Sequence, residues 1–189
     1  MLAQEIKGRG GFLCDEMGLG KTAQTIGTMV GNPQNRTLII VPKSVMYQWK
    51  EEITRFAPKL GQHVMMYEGP SRDALDFSRE KYITIAPYSL LTNRKSKNTV
   101  GGTALHAIQW DRIILDEGHE IRNRTSKVHK SAIELRGKIK WIVTGTPVFN
   151  SMKDFVALCG FIGIPRVLVQ QDPAKIRNQY ILRRTKADV

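Results

Sequence analysis

Short apolar runs recur along the chain, separated by stretches whose apolar residues are spaced three or four apart. The runs are GFLC at 11–14, TLIIV at 37–41, HVMMY at 63–67, YITIA at 82–86, RIILD at 112–116 and WIVTG at 141–145. They are too short for helices, and several are apolar for four residues or more, which predicts strands covered on both faces. Residues 22–30 predict a helix that stops at Gly31-Asn32-Pro33, a strong breaker. Residues 44–56 place Val45, Trp49, Ile53 and Phe56 on one helical face. Residues 127–136 do the same with Val128, Ala132 and Leu135, and residues 151–163 with Met152, Phe155, Val156, Cys159 and Ile162. All these stripes, Trp49 included, read as core-facing. The stretch LTNRKSKNTVGGTA at 91–104 reads as a basic loop. The alternation predicts an α/β fold, a three-layer α/β/α sandwich with a mostly parallel sheet and right-handed crossovers. One domain spans 1–174, and residues 175–189 read as a helix or linker leaving it.

Charge changes the picture more than size does. A net charge of +12 favours an anionic partner, and nucleic acid is the commonest one. The two cysteines, Cys14 and Cys159, form neither a disulfide framework nor a zinc spacing, so a reducing, intracellular compartment is expected. No run reaches transmembrane length and the first residues lack a signal-peptide layout, so no membrane partner is expected.

The chemistry concentrates at three strand ends. DEMGLGKT at 15–22 follows the first run and opens a helix, which is the layout of a phosphate-binding loop. Its glycines let backbone N–H groups curl around a phosphate, and the helix N-terminus adds its positive dipole end. Lys21 is placed to reach the β- and γ-phosphates, and the Thr22 hydroxyl to ligate Mg²⁺. Asp15 stands where the general pattern has its first glycine, which leaves Gly18 and Gly20 to supply the flexibility. The second strand end delivers Asp116-Glu117-Gly118-His119. Asp116 there suits Mg²⁺, and Glu117 suits orienting or deprotonating the attacking water. The third delivers Thr144-Gly145-Thr146-Pro147, whose polar groups can sense a γ-phosphate or face a bound strand.

Together these blocks resemble the first RecA-like lobe of a Swi/Snf-type DNA-dependent ATPase of helicase superfamily two, a P-loop NTPase. The matching blocks are GGFLCDEMGLGKTAQTI (motif I), TLIIVPKSVMYQWKEEI (Ia), ITIAPYSLL (Ib), IILDEGHEIRN (II) and WIVTGTPVFNS (III), with YILRRTKADV at the end. They stand in the family's order and cover nearly the whole chain. The Asp15 form of the loop is the family's own. The resemblance implies ATP and Mg²⁺ as cofactors, with Asp15, Glu16, Met17, Gly18, Leu19, Gly20, Lys21 and Thr22 around the nucleotide. It implies Lys21, Asp116 and Glu117 as the catalytic set and Thr22 and Asp116 at the metal. His119 and Thr144 would link nucleotide state to the DNA side. Pro42, Lys43, Ser44, Ser89, Thr146 and Pro147 would contact the phosphate backbone of double-stranded DNA. Arg183, Arg184 and Lys186 match a basic block that binds DNA or docks a second lobe. Seven Lys/Arg lie in 120–140 against Glu120 and Glu134, and Arg122 and Arg124 either face DNA or belong to a solvated face. His63, His106 and His129 fall in no motif.

Two family features are missing from these residues. Only ten residues precede Gly11, and Gln4 in MLAQEIKGRG resembles the tail of the helix that carries the adenine-reading glutamine motif. The second RecA-like lobe, which supplies arginine fingers, is also missing. Such an arginine contributes roughly 10³ to 10⁵ in turnover in related NTPases, so weak binding and slow hydrolysis are expected of this lobe alone. The implied role is double-stranded DNA translocation in remodelling or repair, with a nucleosome or another protein–DNA complex as substrate. The implied place is the nucleus, the cytoplasm or a virus-infected cell. The alternative from another class is an orphan lobe that binds DNA or a partner without catalysis. A GTPase would need Asn-Lys-x-Asp, which is absent. A small-molecule kinase would leave the +12 charge unexplained.

Overall fold

The computed structural model describes residues 1–92, 102–145 and 151–189. Seven strands form one sheet: β1 (Gly11–Leu13), β2 (Arg36–Val41), β3 (Val64–Met66), β4 (Tyr82–Pro87), β5 (Gln109–Asp116), β6 (Arg136–Val143) and β7 (Ile181–Leu182). Their order is β3-β4-β2-β5-β6-β1-β7, and every pairing among the described residues is parallel. Ten helices accompany them: α1 (Leu2–Ile6), α2 (Lys21–Gly31), α3 (Met46–Phe56), α4 (Pro58–Gly61), α5 (Tyr88–Leu91), α6 (Ala104–Ala107), α7 (Lys127–Ile133), α8 (Met152–Phe161), α9 (Arg166–Gln171) and α10 (Pro173–Tyr180) among those residues.

The unbroken apolar runs become strands covered on both sides. Alternate residues of one strand enter different cores. Leu38 and Ile40 pack with Phe155, Leu158 and Phe161 of α8, whereas Ile39 and Val41 pack with Ile26 and Met29 of α2 and Trp49 and Ile53 of α3. Two stripe residues differ from the expectation. Phe56 is 53% exposed and Met152 is 42% exposed. Phe56 is the last residue of α3 and Met152 the first of α8, so each sits on a terminal turn, outside the packed part of its stripe.

The stretch 127–136 splits differently from its periodicity. The helix ends at Ile133, Leu135 is buried in the connection, and Arg136 starts β6. The charged first half of β6 hides the strand in the sequence, yet it pairs in register with β5 from Gln109↔Arg136 onward. Gly137 fits there because a Cβ would stand 2.6 Å from Ile113 Cδ1. At the other end, α10 is followed by β7, which pairs with β1 through Phe12↔Ile181 and Leu13↔Leu182. Ile176 of α10 is buried, so residues 175–182 pack against the lobe rather than running away from it.

A buried ion pair ties α1 to the sheet. Arg112 of β5 and Glu5 of α1 are both almost fully buried. The guanidinium donates Nε to Glu5 Oε1 at 2.7 Å and Nη2 to Oε2 at 2.5 Å, and a further bond runs to Asn32 O at 2.6 Å. Trp141 Nε1 and Asn32 Nδ2 also donate to the carboxylate, each at 2.9 Å. Every charge in this cluster is therefore met by several partners, the condition under which burial is tolerated.

Candidate nucleotide and DNA edge

Because all strands run one way, their C-terminal ends open on one edge. The register puts Leu13 opposite Val143, and Val143 opposite Asp116. The segments that follow, Cys14-Asp15, Thr144-Gly145 and Asp116-Glu117, therefore meet side by side. This is the position at which open parallel sheets take ligands.

The loop after β1 has the backbone that its glycines predict. Gly18 has φ 92° and Gly20 has φ 71°, and Gly20 is the left-handed residue from which α2 opens at Lys21. Glu16, Met17 and Gly18 are exposed, Leu19 is partly buried, and Thr22 lies on the first turn of α2, partly buried. Lys21 Nζ donates to Asp15 O at 3.0 Å and approaches Glu16 O at 3.4 Å. The third strand end closes over it: a Cβ on Gly145 would stand 3.0 Å from Lys21 Nζ.

Asp15 turns inward and is fully buried. Burial pushes its carboxyl up, but hydrogen bonds from the Arg184 side chain, Gln24 and the Arg184 N–H outweigh that and hold it below the usual carboxylate range. A lowered folded value means that the contribution to stability is complete above the unfolded value, near about 4, and fades as pH falls through the folded value. Urea midpoints between about pH 6 and 2 are therefore expected to fall more for the parent chain than for Asp15→Asn; parallel curves would contradict it.

Asp116 is held from two directions. Trp49 Nε1 of α3 donates to Oδ2 at 2.8 Å, the Glu117 N–H donates to Oδ1 at 3.0 Å, and the buried Tyr88 hydroxyl donates to the Asp116 carbonyl at 2.6 Å. Burial raises its carboxyl above the ordinary value, and the bond from Trp49 opposes that. Glu117 is the one non-glycine residue at positive φ (51°) among the described residues. Such a conformation costs energy and commonly marks a working site. Its Oε2 lies 3.3 Å from His119 Nδ1 and 3.5 Å from the Thr144 hydroxyl. Both expected coupling residues thus touch one carboxylate. Gly118 packs tightly, since a Cβ there would stand 2.4 Å from Ile142 Cγ2.

The expected DNA contacts divide. Val41 pairs with Pro87, so Pro42, Lys43 and Ser44 emerge beside Tyr88 and Ser89 on the same edge. Lys43, Ser44 and Ser89 are exposed and Pro42 is partly buried. Thr146 and Pro147 lie outside the described residues. Arg183 is exposed, but Arg184 is engaged with Asp15 and Gln24 at the nucleotide loop. Trp49, Tyr88 and Gln24 acquire site roles that periodicity could not reveal, because their polar atoms meet partners distant in sequence. A cavity of about 460 Å³ lies elsewhere, between Arg122–Thr125 and the start of α8. Among the described residues no helix is long and apolar enough to cross a membrane.

Residues 1–173 match the model of the SNF2-related domain. The chain belongs to the SNF2-related family. The SNF2-related lobe superposes on the SWI2/SNF2 ATPase core of Sulfolobus solfataricus in complex with dsDNA with a TM-score of 0.83 at 29% identity, covering 100% of this chain and 42% of that one. It is 34% identical over 184 residues to the DNA repair protein RAD5 of Candida albicans, covering 82% of this chain and 17% of that protein. It is 32% identical over 206 residues to a probable global transactivator of Orgyia pseudotsugata multicapsid polyhedrosis virus, covering 100% of this chain and 41% of that protein. The SNF2-related lobe thus spans less than half the length of each of these relatives. Its all-parallel sheet with helices on both faces is the RecA-like fold of that ATPase core.

Proposed function

We propose that this chain is the first nucleotide-binding lobe of a double-stranded-DNA translocase that hydrolyses ATP, working in repair or remodelling. The observation that carries the reading is the convergence of Lys21, Asp116, Glu117 and Gly145 at three adjacent strand ends, with His119 and Thr144 both against Glu117. Lys21 takes the β- and γ-phosphates and gives up its resting bonds to the loop carbonyls. The N–H groups of Glu16 to Thr22 cradle the phosphates.

The donor set fits Mg²⁺. Each oxygen of Asp116 keeps a lone pair beyond its bond from Trp49 or Glu117, and a nearby cation favours the ionised form that burial disfavours. Thr22 and Asp116 would hold the ion, which neutralises charge developing on the phosphates. Glu117 orients the attacking water and accepts its proton; His119 and Thr144 fix that carboxylate. Lys43, Ser44 and Ser89 take DNA phosphates on the neighbouring strand ends, which suits contacts independent of sequence. Because Trp49 and Tyr88 link Asp116 to the helices that follow Ser44 and include Ser89, the DNA side and the metal acid share one rigid frame.

A second RecA-like lobe completes the site with arginine, and without it turnover is slow. A nucleosome or another protein–DNA complex is the substrate of the complete enzyme, in a nucleus or a virus-infected cell. Intact Lys21, Asp116 and Glu117 weigh against a purely non-catalytic module.

Steady-state ATP turnover of the 189-residue chain, with and without duplex DNA, tests the reading. The expected result is turnover below about 1 s⁻¹ that DNA raises and Glu117→Gln removes, with binding of an ATP analogue retained in that variant. Hydrolysis by Glu117→Gln at the parent rate would overturn the role of Glu117. Failure to bind any ATP analogue would overturn the function.

A further inference from the structure

Asp15 occupies the first position of the loop, where many phosphate-binding loops have glycine. Its side chain is fully buried and nearly saturated with donors. Arg184, 169 residues later, gives Nε to Oδ2 at 3.1 Å, Nη2 to Oδ2 at 2.5 Å and its own backbone N–H to Oδ1 at 2.9 Å. Gln24 of α2 gives Nε2 to the same Oδ2 at 3.0 Å and to Leu19 O at 2.9 Å, and accepts from Arg184 Nη2 at 2.5 Å. Backbone bonds extend the tie. The Cys14 N–H reaches Leu182 O at 2.7 Å, the Glu16 N–H reaches Arg184 O at 2.9 Å, and the Lys186 N–H reaches Glu16 Oε2 at 2.8 Å. Lys186 itself lies along Gly18, with Nζ 4.0 Å from where a Cβ on that glycine would stand.

The loop is thus stitched on one side to the segment 182–186. The main-chain oxygen of the gripped residue, Asp15, is also the resting partner of Lys21 Nζ. A displacement of Asp15 therefore moves both the start of the phosphate cradle and the seat of its lysine. Both guanidinium N–H groups meet the one oxygen Oδ2 and the Arg184 backbone N–H takes Oδ1, so each oxygen of a fully sheltered carboxylate is fixed from the same residue, and the charged bonds among them are the strong kind.

We propose that Arg184 is a positioning residue of the nucleotide site, acting through Asp15 to set the loop in the shape that receives a triphosphate, instead of contacting DNA. This rests on the function proposed above. Asp15 is in this view a designed departure from glycine: the loop exchanges backbone freedom at its first position for an external anchor, and Gly18 and Gly20 retain the freedom that the phosphates require.

Amide exchange of residues 16–20 in the nucleotide-free chain, together with affinity for a fluorescent ATP analogue with Mg²⁺, tests this in Arg184→Ala, Arg184→Lys, Asp15→Ala and the double alanine variant. Arg184→Ala is expected to speed exchange at 16–20 about tenfold while amides of β5 and α8 keep their rates, and to weaken the analogue about tenfold. Arg184→Lys recovers part of both effects, as an ion pair without the fork should. The double variant matches Asp15→Ala, since Arg184 acts through that carboxylate. The slope of duplex-DNA affinity against salt stays at the parent value in Arg184→Ala. Unchanged exchange at 16–20, equal losses from Arg184→Ala with and without Asp15, or a shallower salt slope would each overturn the proposal. A parent chain that binds no analogue would overturn the proposed function instead, and the exchange result would still decide the role of Arg184.

Discussion

Glu5→Ala lowers the stability of the lobe by about 3–5 kcal/mol, a large share of what an ordinary domain has. The substitution leaves the Arg112 guanidinium buried beneath α1 with only Asn32 O and a distant Thr37 hydroxyl as partners. It also strands the Trp141 indole N–H and the Asn32 amide, which both donate to Glu5. Arg112 and Trp141 are almost fully buried, so water reaches them only when α1 lifts from the sheet, whereas Asn32 is partly exposed. The expected readout is a melting midpoint lower by roughly 10 °C. Glu5→Leu combined with Arg112→Met is expected to be milder than either single change, because an unpaired buried charge costs more than an absent pair. A double variant as unstable as the sum of the singles would mean that α1 is held by packing alone.

Lys21→Ala removes nucleotide binding while the fold stays intact. The Lys21 side chain meets both the loop, through Asp15 O, and the third strand end, against Gly145. It is partly exposed, and its own bonds are to carbonyls that water can satisfy in its absence. Its contribution is thus expected to be to the ligand and not to the core. A loss of at least about a hundredfold in affinity is expected, about 2.7 kcal/mol, with a urea midpoint within about 0.5 kcal/mol of the parent. An unchanged affinity would move the phosphate site away from the loop.

The candidate site was legible in the sequence because its parts are local. A strand, a glycine-rich turn and a helix start fit within 11–22, and an apolar run ending in two acids fits within 112–117. The strands that are apolar throughout were equally plain. What escaped the pattern were contacts closed by the chain folding back on itself. The first half of β6 carries lysines and glycine, so it has no apolar signature, and its pairing with β5 supplies what the side chains do not. Arg184 reads as one more basic residue in a basic tail until Asp15 is placed against it. Trp49 was legible as core, but its indole N–H reaches Asp116 across 67 residues, and no periodicity encodes that. Tyr88 was equally silent, although its hydroxyl fixes the backbone of the same acid.

The place of β1 in the sheet has a kinetic consequence. It is the first strand in the chain, yet its two neighbours, β6 and β7, begin at residues 136 and 181. Neither side of β1 can pair until long loops have closed, whereas β2, β3, β4 and β5 find partners over shorter distances. Long-range pairings form late, because the entropy of closing the loop must be met first. The loop between β1 and α2 therefore takes its final shape near the end of folding. During refolding, nucleotide binding should appear after most of the sheet's spectroscopic signal, so that the ability to hold ATP reports the completion of the fold and not its beginning.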